Sequence, residues 1–151
     1  MLVAASLLVS CGGSDDSTDA VVKDGFANTP VSGTVYNKTF TVGGGKARSI
    51  SLNGTESLYI HLTPAAIDCD ATDLGPIWIT VPAAVGTYTP ATKGTLQFQD
   101  KESDGFEGAT DAEIEIISIT DTKVIGRVKA SGFYEGENDI NGTFSVQYCP
   151  L

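Results

Sequence analysis

From Val31 to Tyr148 the chain is a succession of short apolar alternations, each closed by Gly, Pro, Asn or Asp. A period of two places every second side chain on one face of an extended strand, whereas a helix needs a period near 3.6. Leu58, Ile60 and Leu62 make one such row. Ile77, Ile79 and Val81 make another, and Leu96 with Phe98, then Phe144, Val146 and Tyr148, make two more. Turn residues sit between the rows. Asn53-Gly54 is the strongest hairpin signal, because both residues tolerate positive φ in a type I′ turn. Asn37-Lys38 and Asp121-Thr122 predict further tight turns, and Gly43-Gly44-Gly45 reads as a flexible turn that breaks a strand. Ile116-Ile117 interrupts the alternation, which predicts a β-bulge or a strand buried on both faces. Helical periodicity is absent apart from a possible turn at Pro64-Ala65-Ala66. The pattern therefore predicts an all-β fold: an antiparallel β-sandwich of about 8–10 short strands joined mostly by hairpins, with a closed barrel as the alternative.

With 151 residues and a globular composition of 41% hydrophobic and 19% charged residues, the chain is long enough for one well-filled core. Residues 30–151 are expected to form that single domain. The net charge of −10 argues against nucleic acid and anionic headgroups as partners, since both require clustered Lys and Arg. The nine basic residues read as scattered.

Three features could carry chemistry. Asp100, Glu102 and Asp104, followed by Gly105 and by Asp111, partly match a calcium loop, in which alternate carboxylates curl around a hard cation and Gly makes the sharp turn. Glu at the third position and Asp at the twelfth depart from that pattern. Asp68-Cys69-Asp70-Ala71-Thr72-Asp73 and Glu135-Gly136-Glu137-Asn138-Asp139 are two further acidic loops; a solvated acidic surface accounts for all three equally. Tyr59, His61, Trp78 and Thr80 fall opposite the Leu/Ile rows of their strands. Tyr59 and Trp78 there are candidates for stacking on a sugar ring, unless that face is also covered. His61 is the only histidine, and it lies near no nucleophile-elbow signature. No catalytic motif is present, so an enzyme is not expected. The ligand classes left are a glycan, a peptide or a partner protein at the surface, or a small molecule in a cavity if the domain closes as a lipocalin-like barrel.

The N-terminus speaks to location. Leu2 to Val9 is too short to cross a bilayer but fits the apolar region of a signal peptide. Leu8-Val9-Ser10-Cys11 resembles the lipobox of bacterial lipoproteins. The resemblance implies a signal peptide over residues 1–10, acylation of Cys11 (palmitate-type chains) and cleavage before it. Signal peptides open on Lys or Arg, and this one opens Met1-Leu2-Val3, the pattern of a signal whose first residues lie upstream. Two or more acyl chains hold a protein firmly on a membrane. Residues 11–29 would be a flexible tether, Gly/Ser/Asp-rich in its first half, with a reach of roughly 20–25 Å. Gly12 after the Cys, and Asp15-Asp16 shortly beyond, resemble outer-membrane lipoproteins, on the periplasmic or cell-surface face. Asp16-Ser17-Thr18 resembles a bacterial O-glycosylation sequon. With Cys11 carrying lipid, Cys69 and Cys149 remain as a pair. In an exported protein such a pair predicts one disulfide, worth about 4.5 kcal/mol by loop entropy. Two buried thiols or a metal site are the other readings.

Overall fold

A computed structural model of the chain describes residues 25–132 and 137–150. The fold is all-β, as the alternation predicts. Its strands are β1 (Ser32–Val35), β2 (Lys38–Thr41), β3 (Gly44–Leu52), β4 (Thr55–Thr63), β5 (Ile77–Pro82), β6 (Gly86–Tyr88), β7 (Thr95–Gln99), β8 (Phe106–Gly108), β9 (Asp111–Ile119), β10 (Lys123–Gly132) and β11 (Asn138–Tyr148). One 3₁₀ turn, Pro90–Thr92, interrupts them.

The strands form one sheet in the order β6-β9-β10-β11-β3-β4-β5-β7-β8. The sheet curls into an open half-barrel. Neighbours pair antiparallel except at the centre, where β11 meets β3 in parallel over two residue pairs, Gln147↔Lys46 and Tyr148↔Ala47. The same edge of β11 also pairs with β1 at residues 139–141, and β2 follows on β1. The chain changes partner between two adjacent residues. Val42 N–H still donates to Val31 O beside β1, whereas Gly43 N–H donates to Thr63 O of β4.

The rows predicted to face inward do so. Leu58, Ile60, Leu62, Ile77, Ile79, Val81 and Phe98 are buried in one cluster with Ile114, Ile116, Val124, Val128 and Ile140 from the other half of the sheet. Asn53 and Gly54 both have positive φ between paired Leu52 and Thr55. The irregularity at Ile116-Ile117 is a bulge. Ser118 pairs with Ile125 and Ile116 with Gly126, which leaves Ile117 over, and it turns outward. The first tight turn is Tyr36-Asn37 rather than Asn37-Lys38, since Lys38 already pairs with Val35.

The packed body also starts earlier than residue 30. Asn141 holds the chain at Gly25 and Ala27, accepting from Ala27 N–H at 2.9 Å and donating to Gly25 O at 3.0 Å. Between them Phe26 is buried on the outer side of β10, with the Arg127 guanidinium 4.8 Å from its ring centre. An apolar residue in a polar stretch is the reason: Phe26 finds a dry seat, and residues 25–29 follow it out of the expected tether.

Candidate functional site

The outer face of β3, β4, β5 and β7 carries the site. The Asn53-Gly54 turn fixes its register. Lys46 lies opposite His61 and Arg48 opposite Tyr59. His61 in turn lies opposite Trp78, and Tyr59 opposite Thr80. Trp78 and Thr80 then meet Gln97 and Thr95 of β7. Strand alternation sends all of these side chains away from the core.

This face is half covered. The segment between β4 and β5, residues 64–76, folds back over it, held by a Cys69–Cys149 disulfide to the residue that follows β11. Lys46 Nζ donates to Cys69 O at 3.0 Å and Ala71 O at 2.6 Å, and Arg48 Nη2 donates to the same Cys69 O at 3.0 Å. What stays open is a groove of about 580 Å³ lined by Lys46, Arg48, Ile50, Tyr59, His61 and the inner side of the covering segment. Tyr59 also borders a second hollow, of about 280 Å³, lined with Trp78, Thr80, Thr95 and Gln97.

The two aromatic candidates therefore sit together, with distinct roles. Tyr59 is half-buried and shared by groove and hollow. Trp78 donates its indole N–H to Gly75 O at 3.2 Å and meets His61 edge to face, ring centres 5.1 Å apart. His61 is 9% exposed, and its Nδ1 is buried without a hydrogen-bond partner. Burial, with Lys46, Arg48 and Lys101 nearby, lowers its pKa from 6.5 to about 4. The imidazole is thus neutral at pH 7.

A pH signature follows. The unfolded chain takes up the His61 proton near pH 6.5, and the folded chain only near 4. The unfolded state binds more protons between those values, so stability falls as pH drops through that window and is unaffected above it. A dry group shifted this far would contribute about 3 kcal/mol. Water at the groove mouth reduces that to about 1–2 kcal/mol. Urea unfolding at pH 7.5 and 4.5 should show this loss in the wild type, beyond the loss retained by His61→Gln. Parallel profiles for the two proteins would refute it.

The calcium candidates do not gather. Asp100 accepts hydrogen bonds from Glu102 N–H and from Ser103 Oγ, and Lys38 sits between Asp100 and Glu102 at 3.8 and 2.8 Å. The Ser103 hydroxyl first, then the Glu102 N–H and the Lys38 charge, hold the Asp100 carboxyl below its ordinary pKa. Asp104, with φ of 55°, supplies the turn and is exposed. Asp111 opens β9 and lines a different groove with Lys129, Asp139 and Asn141. Among the described residues no three metal-ligating side chains converge. In the second acidic loop, Asp73 is engaged by Lys101 at 2.8 Å. Of the third acidic loop, Glu135 and Gly136 lie outside the described residues, as does the lipobox Cys11, whereas Asn138 is buried and donates to Glu107.

Lys46 and Arg48 do not stand out in the sequence, where the basic residues are spread along the chain. A signal for them exists: they alternate on β3, and counting back from the Asn53-Gly54 turn sets Arg48 across from Tyr59. No known protein family, no curated protein and no solved structure matches the chain.

Proposed function

We propose that this chain is a lipid-anchored outer-membrane binding module, not an enzyme, and that it holds a glycan in the groove on the outer face of β3, β4, β5 and β7. The observation that carries the reading is the placement of Tyr59 between a groove and a hollow on a sheet whose opposite face is filled. An aromatic ring there offers a sugar an apolar face, and Thr80, Thr95 and Gln97 beyond it offer hydroxyl and amide partners. The packed interior makes a surface groove a better seat than a barrel cavity. The anchor rests on Leu8-Val9-Ser10-Cys11 and its resemblance to a lipobox; Gly12 and Asp15-Asp16 support the outer membrane. Calcium has no part in this reading.

Two variants, each set against the wild type, test the two halves. Cells fed an alkyne analogue of palmitate should label the wild type and not Cys11→Ala; an unlabelled wild type removes the anchor. Detergent-solubilised wild type should be retained on a panel of immobilised cell-envelope and extracellular polysaccharides, and Tyr59→Ala should lose that retention. Failure to be retained on any of them removes the glycan reading.

A further inference from the structure

The electrostatics of the groove deepen the glycan reading, on which this inference rests. Among the described residues, Lys38, Lys101, Arg127 and Lys129 each have a carboxylate within ion-pair distance. Lys46 and Arg48 do not; nor do Lys93 and Lys123, but those two are exposed to solvent and lie outside the groove. Lys46 and Arg48 are two residues apart on one face of β3, and both donate to a single carbonyl, Cys69 O. A carbonyl dipole accepts hydrogen bonds but does not neutralise two charges. Arg48 Nε is also buried without an acceptor. His61, opposite Lys46, adds no negative charge and leaves Nδ1 unpartnered. Asp70 lines the same groove but forms no ion pair with either cation. On a protein of net charge −10, an unneutralised cationic pair in a recess is a local inversion of sign, and recesses with low-dielectric walls focus such a field.

The order of residues across the outer face of the sheet narrows the ligand. Lys46 and Arg48 stand at one end, Tyr59 opposite Arg48 comes next, and Thr80, Thr95 and Gln97 follow. That is a cation, then an apolar ring, then uncharged hydrogen-bonding groups. We infer that the groove takes a carboxylated sugar, a uronic acid unit whose carboxylate lies against Arg48 beside Lys46, whose ring face lies on Tyr59, and whose neighbouring sugar reaches Thr80, Thr95 and Gln97. Arg48 is the specificity-determining residue, because a planar guanidinium matches a carboxylate and is always charged. Lys46, buried and held by two carbonyls, is a fixed positive charge behind it.

Titration calorimetry on the solubilised protein tests this with trisaccharides of galacturonate, glucuronate and mannuronate, their methyl esters and a neutral galactose trisaccharide. At least one acid should bind, and its methyl ester, uncharged and larger by one methyl group, should bind about 10- to 100-fold more weakly. Arg48→Gln should lose a similar factor for the acid and much less for the ester. The acid's affinity should fall as NaCl is raised, and the ester's should not. Equal wild-type affinity for acid and ester overturns the inference without any variant having to fold. If that equal binding disappears in Tyr59→Ala, the glycan groove stands and only its acidity is lost. Absence of binding by all three acids overturns the inference outright. Inorganic sulfate competing as well as the monomeric uronic acid would show an anion site without sugar recognition, and overturns it too.

Discussion

Replacing Cys69 and Cys149 together with Ser is expected to lower the free energy of unfolding by about 3–4 kcal/mol, a large share of what a domain of this size has. The crosslink joins residues 80 apart in sequence, so it restricts the unfolded chain strongly; loop entropy alone gives about 4.5 kcal/mol, and residual order in the unfolded chain brings the figure down. The effect should also be local. Cys149 is buried, and its N–H donates to Ala47 O beside the short β11–β3 pairing. Cys69 carries the carbonyl that both Lys46 and Arg48 use. Without the bridge, the middle of the covering segment keeps those hydrogen bonds and the Lys101–Asp73 pair, while its ends stay tied by Thr63 Oγ1 to Ala65 O, Trp78 Nε1 to Gly75 O and Gln99 N–H to Pro76 O. Urea unfolding should therefore show a lower midpoint, and native-state hydrogen exchange should show faster opening of residues 67–74 than of β4 beneath them. A loss below about 1 kcal/mol, with unchanged exchange in the segment, would mean that packing alone holds the covering loop.

The two predicted rows Leu58-Ile60-Leu62 and Ile77-Ile79-Val81 were legible because alternation is a local signal, and hydrophobic burial acts on it residue by residue. The bulge at Ile117 was legible for the same reason: two adjacent isoleucines cannot both face one side of a regular strand. β8 was not legible. Its pattern is inverted, with Phe106 63% exposed and Glu107 6% exposed. Glu107 is held inside by Asn138 Nδ2 at 2.7 Å, a partner 31 residues away that periodicity cannot report. The open curl of the sheet was beyond reach for a related reason. It depends on β11 dividing one edge between β1 and β3, a non-local choice settled by the fit of whole strands. The candidate site was half legible. Tyr59 and Trp78 follow from alternation, whereas the convergence of Lys46 and Arg48 on Cys69 O needs the folded-back segment.

The glycine run is where local reading and fold diverge most, and it carries the second large effect. Gly43-Gly44-Gly45 reads as a loose turn, yet Gly44 and Gly45 are the first residues of β3. They are small because the backbone passes close to other backbone there. A Cβ on Gly44 would lie 2.6 Å from Ala66 Cα. A Cβ on Gly45 would fall on the carbonyl oxygen of His61 and 2.7 Å from Val146 Cγ1, and Gly45 also holds φ at 153°, which L side chains rarely adopt. Gly45→Ala is therefore expected to cost about 3–5 kcal/mol, backbone strain and overpacking adding together. The cost falls on the join itself. Pushing Gly45 off Val146 moves β3 away from β11, where two residue pairs connect the two halves of the sheet. Gly54→Ala is the control. Gly54 also has positive φ, 78°, but a Cβ there meets nothing within 4 Å, so only strain of about 1 kcal/mol is expected. Urea unfolding of the two variants separates the causes. If Gly45→Ala is no worse than Gly54→Ala, close packing at the join is not what requires glycine, and the run is the flexible turn that its composition suggests.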